Sequence, residues 1–201
     1  MKLSRLLAIG VCVAAPASAM ALTPLWMRDV KISPDGRTIA FQYKGDIWTV
    51  PVEGGKAVRL TTMDSYEANP VWSPDSRTIA FQSDLHGNFD IFAIPAAGGK
   101  AVRLTNNSAR ETPEAFSPDG KEVYFTANIQ QPVKSAVYPG GVLGQLYSVP
   151  VKGGASHLVL GTPAGRIDFG GKDWFLYQDT KGFEDEWRKH HTSSVTRDIW
   201  R

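Results

Sequence analysis

Cysteine and histidine are scarce in this sequence. Its single cysteine, Cys12, lies within the first 20 of 201 residues, so a disulfide framework is excluded. The four histidines are His86, His157, His190 and His191. Zinc needs three or four converging ligands, and adjacent histidines on an extended chain point to opposite faces. We therefore expect neither a metal site nor a cofactor.

Charge of one sign is not in excess either. Once the N-terminal Lys2 and Arg5 are set aside, 20 basic residues balance 20 acidic residues. A net charge near zero provides no electrostatic attraction to nucleic acid or to an anionic membrane surface. We expect neither as a partner.

Long hydrophobic runs are absent except at the N-terminus. There, Lys2 and Arg5 precede an apolar stretch at residues 6–15, and Ala-Ser-Ala at 17–19 offers a cleavage site. This pattern predicts a signal peptide of residues 1–19, or 1–21 with the second small-residue site, and an exported protein, periplasmic or secreted. A membrane span needs about 20 apolar residues, and Val11 before Cys12 does not fit a lipid anchor, so we expect no membrane insertion after cleavage.

Signatures of catalysis are missing as well. The sequence contains no Gly-x-Ser-x-Gly, no His-Glu-x-x-His and no phosphate-binding loop. The nearest approach to a serine-hydrolase triad is a cluster of short spacing: Asp185, His190, His191, Ser193 and Ser194. Such triads are assembled from distant segments, so we interpret this cluster as a polar loop and expect no catalytic residue in this chain.

One short phrase, by contrast, occurs three times. Its copies are Ser33-Pro34-Asp35-Gly36, Ser73-Pro74-Asp75-Ser76 and Ser117-Pro118-Asp119-Gly120. The copies start 40 and then 44 residues apart, and each precedes a run rich in β-branched and aromatic residues. Repeats of this length, each with several short strands, are typical of β-propeller blades.

Three further signals follow each phrase in a fixed order. They are an Asp-Ile-aromatic triplet, a Gly-Gly pair and an Arg-Leu-Thr run, best preserved in the first two units. Each unit therefore reads as four antiparallel strands, a to d, with the phrase between a and b and Gly-Gly between c and d. Because they recur, we assign structural roles to Asp46, Asp90 and Asp198, in turns or on backbone amides, and inter-blade packing to Trp48, Phe92, Tyr147 and Trp200.

The predicted fold is all-β: a β-propeller of about three and a half four-stranded antiparallel blades in an incomplete ring, at residues 22–201. The blades are predicted at 22–61, 62–105, 106–160 and 161–201. Blade four stops one residue after its strand c signal, and an open ring exposes sheet faces and strand edges. Taken alone, the chain is expected to aggregate or to form a homo-oligomer.

The repeat resembles the propeller repeats shared by TolB proteins and tricorn-type proteases. Two further segments are more selective: Leu22-Thr23-Pro24-Leu25-Trp26-Met27-Arg28, and the block from Tyr177 to Ser194. Both are similar to segments of secreted bacterial tricorn-like serine proteases. The resemblance implies a six-bladed propeller that guides or gates peptides, or unfolded polypeptide, toward a serine-peptidase domain. The missing blades and the catalytic residues would then lie beyond Arg201.

Loop growth indicates a candidate binding face. The a–b and c–d turns stay short, whereas the b–c loops lengthen at 84–88, 128–143 and 179–197. Insertions collected on one face of a repeat protein often mark its binding face. The b–c and d–a loops on this face supply a candidate peptide-binding set: Tyr66, Glu67, His86, Arg110, Glu111, Glu184, Trp187, Arg188 and His190.

Two alternatives remain open on the sequence alone. One is a non-enzymatic, TolB-like periplasmic propeller that binds a protein partner, although TolB-like chains carry a further α/β domain ahead of the propeller. The other is the propeller of a prolyl-oligopeptidase-like enzyme, whose hydrolase domain would follow.

Overall fold

The computed structural model describes residues 26–129, 144–179 and 198–201. In these ranges every regular element is a β-strand, which confirms the predicted all-β class, and no helix there could cross a membrane. The strands are β1 (Arg28–Ile32), β2 (Thr38–Tyr43), β3 (Asp46–Pro51), β4 (Val58–Arg59), β5 (Glu67–Trp72), β6 (Thr78–Ser83), β7 (Asp90–Pro95), β8 (Val102–Arg103), β9 (Glu111–Phe116), β10 (Glu122–Ala127), β11 (Gln145–Pro150), β12 (His157–Phe169), β13 (Phe175–Asp179) and β14 (Ile199–Trp200).

The strands form antiparallel blades in chain order. Blade one is β1-β2-β3-β4 and blade two is β5-β6-β7-β8. The remaining strands, β9 to β14, form one six-stranded sheet in sequential order, which holds blade three and the described part of blade four. Four-stranded sheets with consecutive strands paired are the predicted propeller repeat, and the described strands supply three such blades and part of a fourth.

Each Ser-Pro-Asp phrase builds the same a–b turn. Ser33 Oγ donates to Asp35 Oδ1 over 2.6 Å and accepts from the backbone N–H of Thr38 over 2.9 Å. The turns at Ser73 and Ser117 repeat this arrangement. The third residue after the serine has a positive φ, 71° at Gly36 and 60° at Ser76, which explains why glycine occupies two of the three copies.

Blades three and four share a strand. Blade one ends in the two-residue strand β4 and blade two in the equally short β8, and a loop leads from each to the next blade. In contrast, β12 runs for 13 residues. Its first part pairs with β11, from His157 to Pro163, and its second part pairs with β13, from Ala164 to Phe169. Strand d of blade three is therefore continuous with strand a of blade four, across the predicted boundary at 160/161.

The core lies between the blades. Blades one and two enclose a cluster that includes Ile47, Phe81 and Phe92, and blades two and three enclose one that includes Ile91 and Phe125. Phe81 and Phe125 are fully buried. Residues alternate along strand c, so Phe92 faces blade one while Ile91 faces blade three. Blade two thus contributes to two cores.

The predicted packing of the recurrent aromatics holds at two positions out of four. Phe92 and Tyr147 are buried between blades, as expected. Trp48 is only half-buried and Trp200 is 50% exposed. Trp48 lies on the face of blade one that corresponds to the Phe92 face of blade two, and no described blade covers that face. Its burial requires a further blade.

Candidate functional site

The d–a and b–c loops meet at one end of the blades, as the candidate binding face requires. The backbone N–H of Glu67 donates to the carbonyl oxygen of Gly45 over 2.7 Å, and that of Glu111 to the carbonyl oxygen of Phe89 over 2.9 Å. The backbone N–H of Tyr66 donates to Asp84 Oδ1 over 2.7 Å. Each d–a loop is therefore fixed against a b–c loop by hydrogen bonds.

Of the nine residues predicted for this face, five are described. Tyr66, His86 and Arg110 are exposed, whereas Glu67 and Glu111 have no exposed surface. Glu184, Trp187, Arg188 and His190 lie outside the described residues, as do Asp185, His191, Ser193 and Ser194. The five described residues thus divide into an exposed group and a buried pair.

The exposed group centres on Phe89. The Arg110 guanidinium carbon lies 4.5 Å from the centroid of the Phe89 ring, and the Tyr66 ring meets the same ring edge-on at 6.2 Å. Cation–π and edge-to-face contacts of this kind hold both side chains in place. Tyr66, Phe89 and Arg110 form what we call the aromatic–guanidinium cluster, which brings together two of the predicted residues.

A cavity of about 500 Å³ adjoins the cluster at Tyr66. Its lining also includes Trp26, Arg28, Tyr43 and Lys44, so aromatic and cationic side chains continue toward blade one. Lys44 Nζ lies 5.4 Å from the centroid of the Tyr43 ring. Such a surface offers apolar area, ring faces and positive charge to a ligand, and it suits the side chains and carboxylates of peptides.

His86 is placed differently. Its ring stacks on that of Phe92 with centroids 6.1 Å apart, near Asp90, whose pKa is raised by burial. No described contact joins His86 to the aromatic–guanidinium cluster. Across the described residues, no group of three or more His, Cys, Asp or Glu side chains could hold a metal ion.

The buried pair, Glu67 and Glu111, belongs to a repeated polar network between blades. At the first junction, Arg59 Nη2 donates to Asp46 Oδ1 over 2.6 Å, and Thr61 Oγ1 accepts from the backbone N–H of Ile47 over 2.9 Å. The same hydroxyl donates to Glu67 Oε2 over 3.0 Å. Asp46 is therefore structural, as predicted, but its partner is the arginine of the Arg-Leu-Thr run.

The second junction repeats this network with Asp90, Arg103, Thr105 and Glu111. Arg103 Nη2 lies 2.7 Å from Asp90 Oδ2, an ion pair equivalent to that of Arg59 with Asp46. The recurrence of the network makes Glu67 and Glu111 junction residues, with no surface for a peptide.

A second cavity, of about 780 Å³, follows the inner strands toward the a–b turns. Strands β1, β5, β9 and β12 contribute to its lining, among others with Lys31, Trp72, Glu114 and Asp168. Burial raises the pKa of Glu114, and its carboxylate accepts hydrogen bonds from Thr126 Oγ1 and from the backbone N–H of Arg166. The inner edge of the blades thus presents both charged and apolar side chains to this cavity.

Phe89 is the functional candidate that sequence reasoning missed. It stands directly before the Asp-Ile-Phe triplet, 44 residues after Gly45. An aromatic residue where the preceding repeat has glycine is a departure from the repeat, and this departure was the available signal.

The chain matches a known family of propeller domains. A sequence model described as the tricorn protease N-terminal beta propeller domain matches residues 24–201. The chain belongs to this tricorn propeller family. The match extends over nearly the whole chain and confirms the resemblance seen in the repeats.

Solved structures share the tricorn propeller architecture. TolB from Acinetobacter baumannii superposes with a TM-score of 0.60 and 18% identity, over 86% of this chain and 40% of that one. A putative TolB from Agrobacterium tumefaciens superposes with a TM-score of 0.57 and 23% identity, over 68% of this chain and 50% of that one. The tricorn protease superposes with a TM-score of 0.56 and 14% identity, over 79% of this chain and 19% of that one. At these identities the likeness shows the fold.

A curated relative connects this tricorn propeller chain with peptidases. The uncharacterized peptidase YuxL of Bacillus subtilis (strain 168) is 41% identical over 56 residues, which is 25% of this chain and 8% of that protein. The chain therefore spans half or less of the length of the relatives described here. It is the propeller of a protease-related protein.

Proposed function

We propose that this propeller guides peptides toward a serine-peptidase domain of an exported tricorn-like protein. The aromatic–guanidinium cluster carries the proposal, because it places Tyr66, Phe89 and Arg110 together on the face where the loops lengthen. Apolar rings take peptide side chains, and the guanidinium takes carboxylates. Membership of the tricorn propeller family supports the same role, and so does the 41% sequence identity with a peptidase over 56 residues.

The path of the peptide is part of the proposal. The cluster lies at the loop end of the blades, and the 780 Å³ cavity lies along the inner strands toward the opposite turns. A chain captured at the loop end would continue along these inner strands. Export to the periplasm or beyond is proposed from the signal-like N-terminus.

The test is steady-state hydrolysis of peptides by the whole protein. Phe89→Ala and Arg110→Ala should each raise KM about fivefold, which corresponds to the loss of roughly 1 kcal/mol of ring or cation contact. The kcat should not change, because the cluster touches no scissile bond. Arg37→Ala is the matched control, since Arg37 is exposed in an a–b turn at the other end of blade one.

Other results would reject the role. Equal KM values for Arg110→Ala, Phe89→Ala and Arg37→Ala would show that the cluster does not bind the substrate. A whole protein that binds polypeptide without hydrolysing it would instead support a TolB-like binding propeller.

A further inference from the structure

Glu67 and Glu111 occupy equivalent positions with unequal hydrogen bonding. Glu67 Oε1 accepts from Ser65 Oγ and, over 3.3 Å, from Ser83 Oγ, while Oε2 accepts from Thr61 Oγ1. Glu111 Oε2 accepts from Thr105 Oγ1. Glu111 Oε1 is buried, and no donor from the described residues reaches it.

The difference follows from two substitutions between the repeats. Ala109 stands 44 residues after Ser65, and Ala127 stands 44 residues after Ser83. The register confirms the second match, because Ser83 pairs with Glu67 and Ala127 pairs with Glu111. Blade three thus lacks both hydroxyl donors that satisfy the first carboxylate.

The backbone N–H of Ile91 lies close enough to favour the charged form of Glu111, but it donates to Thr105 Oγ1 and does not satisfy Glu111 Oε1. A cavity of about 400 Å³ borders Glu111, but the residue has no accessible surface, so water in the cavity does not reach its carboxyl group. A buried carboxylate without donors pays a large desolvation penalty and favours its neutral form. Burial accordingly raises the pKa of Glu111 to about 7.

The surrounding charges act in opposite directions. Asp90 of β7 opposes ionisation of Glu111 and Arg103 of β8 favours it, and Arg103 is already engaged by Asp90. Strand β6 carries no charged residue. The titratable or charged groups on the other strands packed against β9 are Glu67 on β5, Glu122 and Tyr124 on β10, and His157, Arg166 and Asp168 on β12.

We propose that Glu111 makes the junction between blades two and three pH-sensitive: the junction is tight while Glu111 is protonated and loosens when Glu111 ionises beside Asp90. Burial also raises the pKa of Glu67, but its three hydroxyl donors act against this shift, so the junction between blades one and two is the less sensitive of the two. One pair of Ser-to-Ala differences therefore distinguishes two otherwise similar junctions.

The direction of the effect follows from proton linkage. The ordinary pKa of glutamate, 4.5, applies to the opened junction, and the closed junction holds the proton up to about pH 7. Closure is then favoured fully below pH 4.5, and this advantage is lost as the pH rises through 7. The opening constant should rise about tenfold per pH unit between pH 5 and 7 and level off above 7.

The experiment is hydrogen exchange with mass spectrometry on the whole protein, with rates corrected for the intrinsic pH dependence of exchange. Peptides that cover β7 and β9 report the second junction, and peptides that cover β3 and β5 report the first. In the wild type the opening constant should rise with pH further, and to a higher pH, at β7 and β9 than at β3 and β5. Glu111→Gln should abolish the rise, and Ala109→Ser/Ala127→Ser should end it at a lower pH.

Each outcome decides the proposal. Glu67→Gln is the matched control, and it should leave the pH profile of β7 and β9 unchanged. An equal rise at both junctions, or a flat wild-type profile at β7 and β9, would overturn the proposal. So would a profile unaltered by Ala109→Ser/Ala127→Ser, a variant that tests the idea even if Glu111→Gln does not fold.

Discussion

Trp72 Nε1 donates a hydrogen bond to the carbonyl oxygen of Lys31 over 3.1 Å. The two residues lie on the inner strands β5 and β1, so the bond connects neighbouring blades. Similar bonds run from the backbone N–H of Asn69 to Asp29 Oδ2, and from that of Arg166 to Glu114 Oε2. The inner strands are thus linked by polar contacts in addition to the apolar cores.

Trp72→Phe should weaken the link between blades one and two. It removes the Nε1 donor and should cost about 1 kcal/mol, measured by urea denaturation, with faster hydrogen exchange in β1 and β5. Trp48→Phe is the control, because Trp48 Nε1 donates to the carbonyl oxygen of Tyr43 within blade one. Equal acceleration of β5 exchange in both variants would contradict an inter-blade role for the Trp72 bond.

Phe125→Ala should be among the most damaging single changes in the described blades. The ring is fully buried between blades two and three and stacks on Tyr147 at 5.7 Å. Its removal leaves a cavity and should cost about 3–5 kcal/mol of unfolding free energy. Val102→Ala, at a side chain that is 53% exposed, should cost no more than about 0.5 kcal/mol. Similar losses for the two variants in urea denaturation would refute the placement of the core.

Thr61→Val should destabilise the first junction although the valine side chain has the same shape as that of threonine. The change deprives the backbone N–H of Ile47 of its acceptor and Glu67 Oε2 of a donor, both of them buried. Such losses cost about 1–3 kcal/mol. Thr61→Ser keeps the hydroxyl and should restore most of the stability, as measured by urea denaturation. A valine variant as stable as the serine variant would show that the hydroxyl is dispensable.

Asp119→Asn should give a pH-dependent loss of thermal stability. The Ser117 hydroxyl, followed by Lys121, lowers the pKa of Asp119 to about 2. Because this folded-state pKa lies below the ordinary 3.8, the ionised side chain contributes stability above pH 4, and the contribution is lost as the pH falls toward 2. The Tm of the variant should be below that of the wild type at pH 7, and the gap should close near pH 2. Asp173→Asn, in the degenerate turn of blade four, is the control. An equal Tm loss in that variant would show that the contacts of Asp119 with Ser117 and Lys121 do not cause the effect.

The strands and turns were predictable because their signals are local. Ser33, Pro34 and Asp35 form a turn through their own side chains and backbone, and Gly54 and Gly55 supply the positive φ that the c–d hairpin needs. Each such phrase acts within five or six residues, so it can be recognised in the sequence. The blade architecture follows from the repetition.

The features that depend on contacts between blades could not be predicted in this way. Glu67 and Glu111 read as loop charges, and they are buried because Thr61 and Thr105 of the preceding blade bond to them. The predicted blade boundary at 160/161 falls inside strand β12, because Pro163 still pairs with Gln145 of blade three. Two of the three residues of the aromatic–guanidinium cluster, Tyr66 and Arg110, were predicted. Phe89 was not, because the preceding repeat has glycine at the equivalent position.

The continuity of β12 determines where this propeller can deform. Because one 13-residue strand belongs to both blades, we expect blades three and four to move together. The junctions before it have only two-residue outer strands and a loop between blades. We therefore expect neighbouring blades to separate more readily at the two junctions of blade two than between blades three and four.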